Sequence, residues 1–287
     1  MASKTRGDAF GFEEATAERW LGLVRTTMWP YFRPHIIGAE HLPHRGRAMI
    51  VGCHYGVIPY DTACALTAIH EATGRFARAV GDNFFASIPA VERFLHRVGA
   101  VVGRPDVLER ILRAGHMVLV IPGGAKDSAR RYLTQRYHAL PIRGFAPGRG
   151  GYVKIALRTR SPIIPFAAVG GEEAHVMLGT VPFVDRLLGV PFLPVVLFPL
   201  PLPTKLYIRF GEPMRLPGTP ADADDQRTVD ELNTLVRKQV QHLIDDTLRH
   251  RQGIVFSTYV GRQPQPRRSR VSSGARMVNR TGAAARS

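Results

Sequence analysis

A histidine and an aspartate stand seven positions apart in Cys53-His54-Tyr55-Gly56-Val57-Ile58-Pro59-Tyr60-Asp61, directly after the apolar run Ala48-Met49-Ile50-Val51. An imidazole held by a carboxylate at one nitrogen is fixed in the tautomer whose other nitrogen accepts a proton. That is the equipment of a general base acting on a hydroxyl. The same pair also serves as an ordinary structural hydrogen bond, and spacing alone does not separate the two. A second segment, Val118-Leu119-Val120-Ile121-Pro122-Gly123-Gly124-Ala125-Lys126, is an apolar run emptying into a glycine turn with a cation behind it. Backbone N–H groups in such a turn hold an anion or an oxyanion, although a plain strand exit looks the same. A third, Gly99-Ala100-Val101-Val102-Gly103-Arg104, ends in an arginine that is either a ligand for an anion or an ordinary surface residue.

These residues need a frame. Alternating apolar runs and helical patterns predict strands at Ala48–Cys53, Phe76–Gly81, Ala100–Val102, Met117–Ile121, Pro162–Val169 and Lys205–Phe210. Between them, helices are expected at Pro59–Ala72, Ile88–His96, Asp106–Ala114 and Gly150–Thr159. Strands alternating with helices argue an α/β domain with a largely parallel sheet flanked by helices. In such sheets ligands sit at the carboxyl ends of the strands. His54 lies just past one such end, and Asp61 falls in the first turn of the next helix. Gly56 lets the chain bend between them, and Pro59 presets the helix start.

Two flanking helices complete the pattern. From Glu14 to Met28, Ala17, Trp20, Leu21, Val24 and Met28 form an amphipathic stripe that runs into Trp29-Pro30-Tyr31-Phe32. Aromatics beside arginines suit a membrane interface, and the same stripe suits the core, so both uses stay open. Thr219-Pro220-Ala221-Asp222 reads as the cap of a long helix whose stripe is Val229, Leu232, Val236, Val240 and Leu243.

The 287 residues are 45% hydrophobic, enough for one sizeable core, and the formal net charge is +16. Much of that charge is terminal: from Arg251 onward arginines recur among Gly, Ser, Pro and Gln with no Asp or Glu. The stretch reads as a disordered basic tail for an anionic membrane surface, or simply for solubility. Phe256 and Tyr259 are its only rings, which argues against a single-strand nucleic-acid binder. The two cysteines, Cys53 and Cys64, make neither a disulfide framework nor a metal site, and a reducing compartment is expected. The first eight residues lack the apolar core of a signal peptide. The apolar segment Leu187–Pro203 is broken by five prolines, so it is expected to line an acyl-chain channel, to dip into lipid, or to be a buried loop rather than a spanning helix.

Taken in order, these segments resemble the glycerolipid acyltransferase family, which includes bacterial lysophosphatidate acyltransferases. Its signature is Asn-His-x4-Asp, then Gly-x4-Arg, then Phe-Pro-Glu-Gly-Thr-Arg, then an apolar block around a proline. Cys53-His54 with Asp61, Gly99 with Arg104, Pro122-Gly123-Gly124-Ala125-Lys126 and Ser161-Pro162-Ile163-Ile164-Pro165-Phe166 are similar to these, and the likeness covers roughly Arg33 to His250. Cys53 replaces the family's Asn, and six residues rather than four separate His54 from Asp61. The lost Glu of the third block resembles a branch related to acylglycerol acyltransferases.

The resemblance implies an O-acyltransferase with no cofactor or metal, taking acyl-CoA or an acyl carrier protein as donor. His54 would be the catalytic base, Asp61 its orienting carboxylate, and Arg104, Pro122, Gly123, Gly124 and Lys126 would bind substrate. The acceptor would be a glycerolipid, lysophosphatidate or a related lysophospholipid, with neutral mono- or diacylglycerol as the alternative. A domain spanning residues 33–250 is then expected between a membrane-associating segment, 1–32, and the tail, 251–287, peripheral on the cytoplasmic face of a membrane. Two rivals remain. A hydrolase has no Gly-x-Ser-x-Gly elbow here, and Cys53 would point away from His54 in an extended strand. A non-catalytic lipid- or nucleic-acid-binding protein of the same fold is the other.

Overall fold

The computed structural model describes residues 8, 10–55, 58–81, 89–124, 145–181 and 193–254. A seven-stranded sheet forms its centre, in the order β1-β9-β6-β2-β5-β3-β4. These strands are β1 (His35–Ile37), β2 (Ala48–Cys53), β3 (Ala77–Gly81), β4 (Val101–Val102), β5 (Met117–Val120), β6 (Ile163–Val169) and β9 (Tyr207–Phe210). Neighbours from β6 to β4 pair parallel, while β9 lies antiparallel to β6 and carries β1 parallel to itself. β2 and β6 are buried at every position, as strands covered on both faces must be.

Period-two alternation divides the core. Met49, Val51 and Cys53 face α5 (Pro105–Arg113), α6 (Gly151–Thr159) and α8 (Gln226–His250), whose buried faces include Ile111, Val153 and Val236. Ala48 and Ile50 face the other way, onto α1 (Glu14–Leu23), α2 (Trp29–Phe32) and α3 (Tyr60–Thr73), through Trp20, Phe32, Ala65 and Ile69. Helix α4 (Pro89–Arg97) completes the larger set, and β7 (Met177–Val181) with β8 (Leu193–Val196) makes a separate two-stranded ribbon. Among the described residues no helix is long and apolar enough to cross a membrane.

Several expectations shift. The N-terminal stripe is used by the core: Ala17, Leu21 and Val24 are buried, and Trp20 and Met28 pack against that side of the sheet. α1 continues through a π-helical turn, Val24–Met28, into α2. The capping box at Thr219 and Asp222 closes a short 3-10 turn, Pro220–Asp224, and Asp225 caps the long helix by accepting from Arg227 N and Thr228 N. The proline-broken apolar stretch supplies a strand, β8, in its described part; residues 187–192 lie outside it. The domain also runs past His250. Arg251 pairs with Glu173 at 2.6 Å, and Ile254 O accepts from Lys205 N, so 251–254 belong to the folded body.

Candidate active site

Parity along β2 decides what faces what. Cys53 turns into the α5/α6/α8 side of the core, while the next residue faces the start of α3. There His54 Nδ1 lies 3.0 Å from Asp61 Oδ1. A carboxylate only accepts, so the proton sits on Nδ1 and Nε2 presents its lone pair. Asp61 is 1% exposed and His54 10%. The carboxylate is held from three further sides: Tyr55 N donates to Oδ2 at 3.2 Å, and Thr62 donates to Oδ1 from N at 2.6 Å and from Oγ1 at 3.2 Å. Asp61 also stands in the first turn of α3, where the helix dipole favours a negative charge. Pro59 occupies the position before the helix, one residue earlier than its fixed φ would suit as a first helical residue.

The glycine turn comes to the same edge. Val51 is level with Val120 across the parallel pair, so two residues on, Cys53 and Pro122 leave the sheet on neighbouring strands. Gly124 takes φ +62°, a left-handed value suited to glycine, and its N–H closes the turn on Ile121 O at 3.2 Å. The Gly124 amide is therefore spent within the turn itself. Arg104 stands apart. It precedes α5 at the end of β4, three strands from β2 and so about 14 Å away at the usual strand spacing. Its guanidinium is 68% exposed and paired with Asp106 at 3.2 Å. Lys126 lies outside the described residues, as do Gly56 and Val57.

A contribution absent from the sequence reading comes from the end of β6. The chain leaves it through Gly170-Gly171 into a single helical turn, α7 (Gly171–Ala174), laid against the His54–Asp61 loop. A Cβ at Gly171 would stand 2.1 Å from Tyr55 O and 3.4 Å from Asp61 Oδ2, so only glycine allows this approach. Behind it Glu172, Glu173 and His175 are all buried, and Tyr60 stacks on His175 with centroids 5.7 Å apart. Burial pushes the His175 imidazole below its ordinary value, keeping it neutral near pH 7. The signal was visible as a glycine pair and two acids after a buried strand; what it packs on was not.

Neither cysteine suits nucleophilic chemistry. Cys53 points away from His54, and burial, with the Asp61 charge adding, pushes the Cys64 thiol up to about 12.

A parallel-centred α/β sheet with a His–Asp pair at its carboxyl edge defines the class, and a family model described as Acyltransferase matches residues 33–169. The chain belongs to the acyltransferase superfamily. Among its relatives, an uncharacterized protein of Mycobacterium leprae (strain TN) is 36% identical over 261 residues, covering 87% of this chain and 70% of that protein. The human DGAT1/2-independent enzyme synthesizing storage lipids is 30% identical over 239 residues, 82% of this chain and 67% of that enzyme. The fold matches the crystal structure of the 1-acyl-sn-glycerophosphate (LPA) acyltransferase PlsC from Thermotoga maritima, with a TM-score of 0.53 at 16% identity, over 83% of this chain and 81% of that one.

Proposed function

We propose that the protein transfers a fatty acyl group from acyl-CoA or acyl carrier protein to a hydroxyl of a glycerolipid acceptor. The observation that carries this is the His54 Nδ1 to Asp61 Oδ1 contact of 3.0 Å at the carboxyl end of a central strand. In this reading His54 Nε2 takes the acceptor's hydroxyl proton as that oxygen attacks the thioester carbonyl. Asp61 stabilises the imidazolium that forms. The developing oxyanion is met by the Gly123 amide. Collapse of the tetrahedral intermediate breaks the carbon–sulfur bond, and the imidazolium returns its proton to the leaving thiolate. No covalent acyl-enzyme is required.

Among acceptors, two observations favour a neutral glycerolipid such as mono- or diacylglycerol over lysophosphatidate. Arg104 is paired with Asp106 and stands three strands from His54, and the human relative is named for synthesizing storage lipids. The test is thioester consumption with a panel of lysophosphatidate, other lysophospholipids, monoacylglycerol and diacylglycerol. His54→Ala is expected to slow transfer about a hundred- to ten-thousandfold. Transfer by that variant at the parental rate would refute the mechanism, and binding of lipids without any transfer would make the protein a non-catalytic member of its fold.

A further inference from the structure

The ribbon after α7 breaks the pattern expected of a water-facing one. A two-stranded ribbon with one face on its protein normally shows polar side chains on the other. In β8, Leu193 and Val195 share a face and are 37% and 41% exposed, opposite Val181 and Gly179 of β7. Leu178, at the bulge between Met177 and Gly179, is 46% exposed. The ladder continues through Leu197 N, which donates to Val176 O, and beyond it Leu197, Phe198 and Leu200 are exposed by 52%, 46% and 76%. Single exposed apolar residues are ordinary, but six along one ribbon and its exit form a surface that needs cover.

The ribbon is fastened to the candidate active site at both ends. It springs from α7, whose Gly171 rests on Tyr55 O, and returns through Leu202 N to Ala174 O and Thr204 Oγ1 to Gly170 O. Beside its exit, exposed Tyr31 donates from its hydroxyl to Pro201 O, and Arg33 donates to Pro203 O. From Tyr31 a row of rings leads inward through Phe32 to Tyr60, the neighbour of Asp61, with centroids 4.9 and 5.0 Å apart. Ile58, in the turn between His54 and Asp61, is exposed as well.

We propose that this strip seats the protein on a lipid bilayer, with Leu178, Leu193, Val195, Leu197, Phe198 and Leu200 entering the acyl-chain boundary and the His54–Asp61 edge held against the membrane. Tyr31, apolar in its ring and hydrogen-bonded at its tip, lies at headgroup depth. Charge selects the occupant. A second copy would carry the same net charge of +16 and be repelled, whereas an anionic bilayer attracts the protein. The sequence beyond Ile254, with seven arginines from Arg262 on, adds attraction to such a surface and little large apolar side chain to cover the strip. The proposal deepens the glycerolipid reading, because a membrane-resident acceptor would reach His54 without crossing water.

The test uses the full chain with vesicles of phosphatidylcholine containing a minor fraction of phosphatidylglycerol. Phe198→Asp and Leu200→Asp are each expected to weaken co-sedimentation by about tenfold, and the pair by about a hundredfold, as removal of buried side chains of this size implies. Turnover of a short-chain, water-soluble donor and acceptor is expected to stay at the parental level. In a second measurement, Leu200→Cys carries an environment-sensitive fluorophore, with buried Cys53 and Cys64 protected from labelling, and its emission is expected to shift to the blue on adding vesicles. Unchanged co-sedimentation of the double variant or an unshifted probe would overturn the proposal. So would variants that bind vesicles normally but lose short-chain turnover, which would mark an acyl channel, or that only dissolve an oligomer seen by light scattering. Vesicle binding needs no catalysis, so failure of the acyl-transfer reading would show separately, as binding without transfer.

Discussion

Asp61 is held by four hydrogen bonds from His54, Tyr55 and Thr62, and its contact with the ring fixes which imidazole nitrogen faces the substrate. Asp61→Asn keeps the shape but permits the opposite tautomer, so kcat is expected to fall by about a hundred- to ten-thousandfold in the thioester assay. Parental turnover in that variant would show that the carboxylate is only structural. Cys53→Ser is expected to stay active, because the Cys53 side chain lies in the opposite half of the core. Gly171→Ala places a methyl group against Tyr55 O, and is expected to cost about 1–3 kcal/mol in urea unfolding while loosening the Asp61 loop. His54, Asp61 and the Gly123-Gly124 turn were legible as residue types after apolar runs. Gly171 was not, because what demands a glycine there is a backbone oxygen far away in sequence.

At the scale of elements, strand periodicity and helix punctuation carried most of the information. β2 runs over Ala48–Cys53 as its unbroken apolar run requires, and α3 begins just after Pro59. The caps of α8 show where local pattern misleads. Thr219-Pro220-Ala221-Asp222 has the composition of a helix cap, yet it caps a separate 3-10 turn, and the adjacent Asp225 starts the helix. Asp225→Ala is therefore expected to destabilise the domain by about 1 kcal/mol in denaturant unfolding, and Thr219→Ala to leave helix content unchanged by circular dichroism. The order of those two effects, reversed, would return the cap to Thr219. Strand β8 was not legible in a stretch broken by prolines, yet Pro194 lies within an edge strand, where a missing donor is tolerated.

For the whole molecule, charge and burial set the response to pH and truncation. Burial holds His175 below its ordinary 6.5, and does the same for His35, with Lys205 adding, and for His116, with Arg78 adding. The unfolded chain therefore binds more protons than the folded one just below that value. Stability is complete above pH 6.5 and falls as pH drops through it toward the depressed folded values. Urea midpoints measured from about pH 7.5 to about pH 5.5 should fall, and His175→Gln should flatten part of that slope. A flat parental profile would contradict it. Truncation after Ile254 should leave the domain folded, whereas ending it at His250 removes the Arg251 partner of buried Glu173 and is expected to cost on the order of 3 kcal/mol. Equal stability of the two truncations would place Arg251 outside the fold. Some arginines in the basic balance are internal fasteners: Arg78 is 2% exposed and donates to Gly99 O, and Arg75 donates to three carbonyls of the loops around it.

By itself the sequence determined the α/β alternation, the family, and the pairing of His54 with Asp61 across one turn. All of these rest on local periodicity or on ordered motifs, which need no knowledge of neighbours. Only the tertiary structure decided the strand order that sets Arg104 three strands from His54, the close approach of Gly171, the return of Arg251 to Glu173, and the outward face of β7–β8. Each depends on which segments meet after the chain has folded. An apolar side chain has the same chemistry in a core and on a membrane-facing ribbon, and only its neighbours tell the two apart.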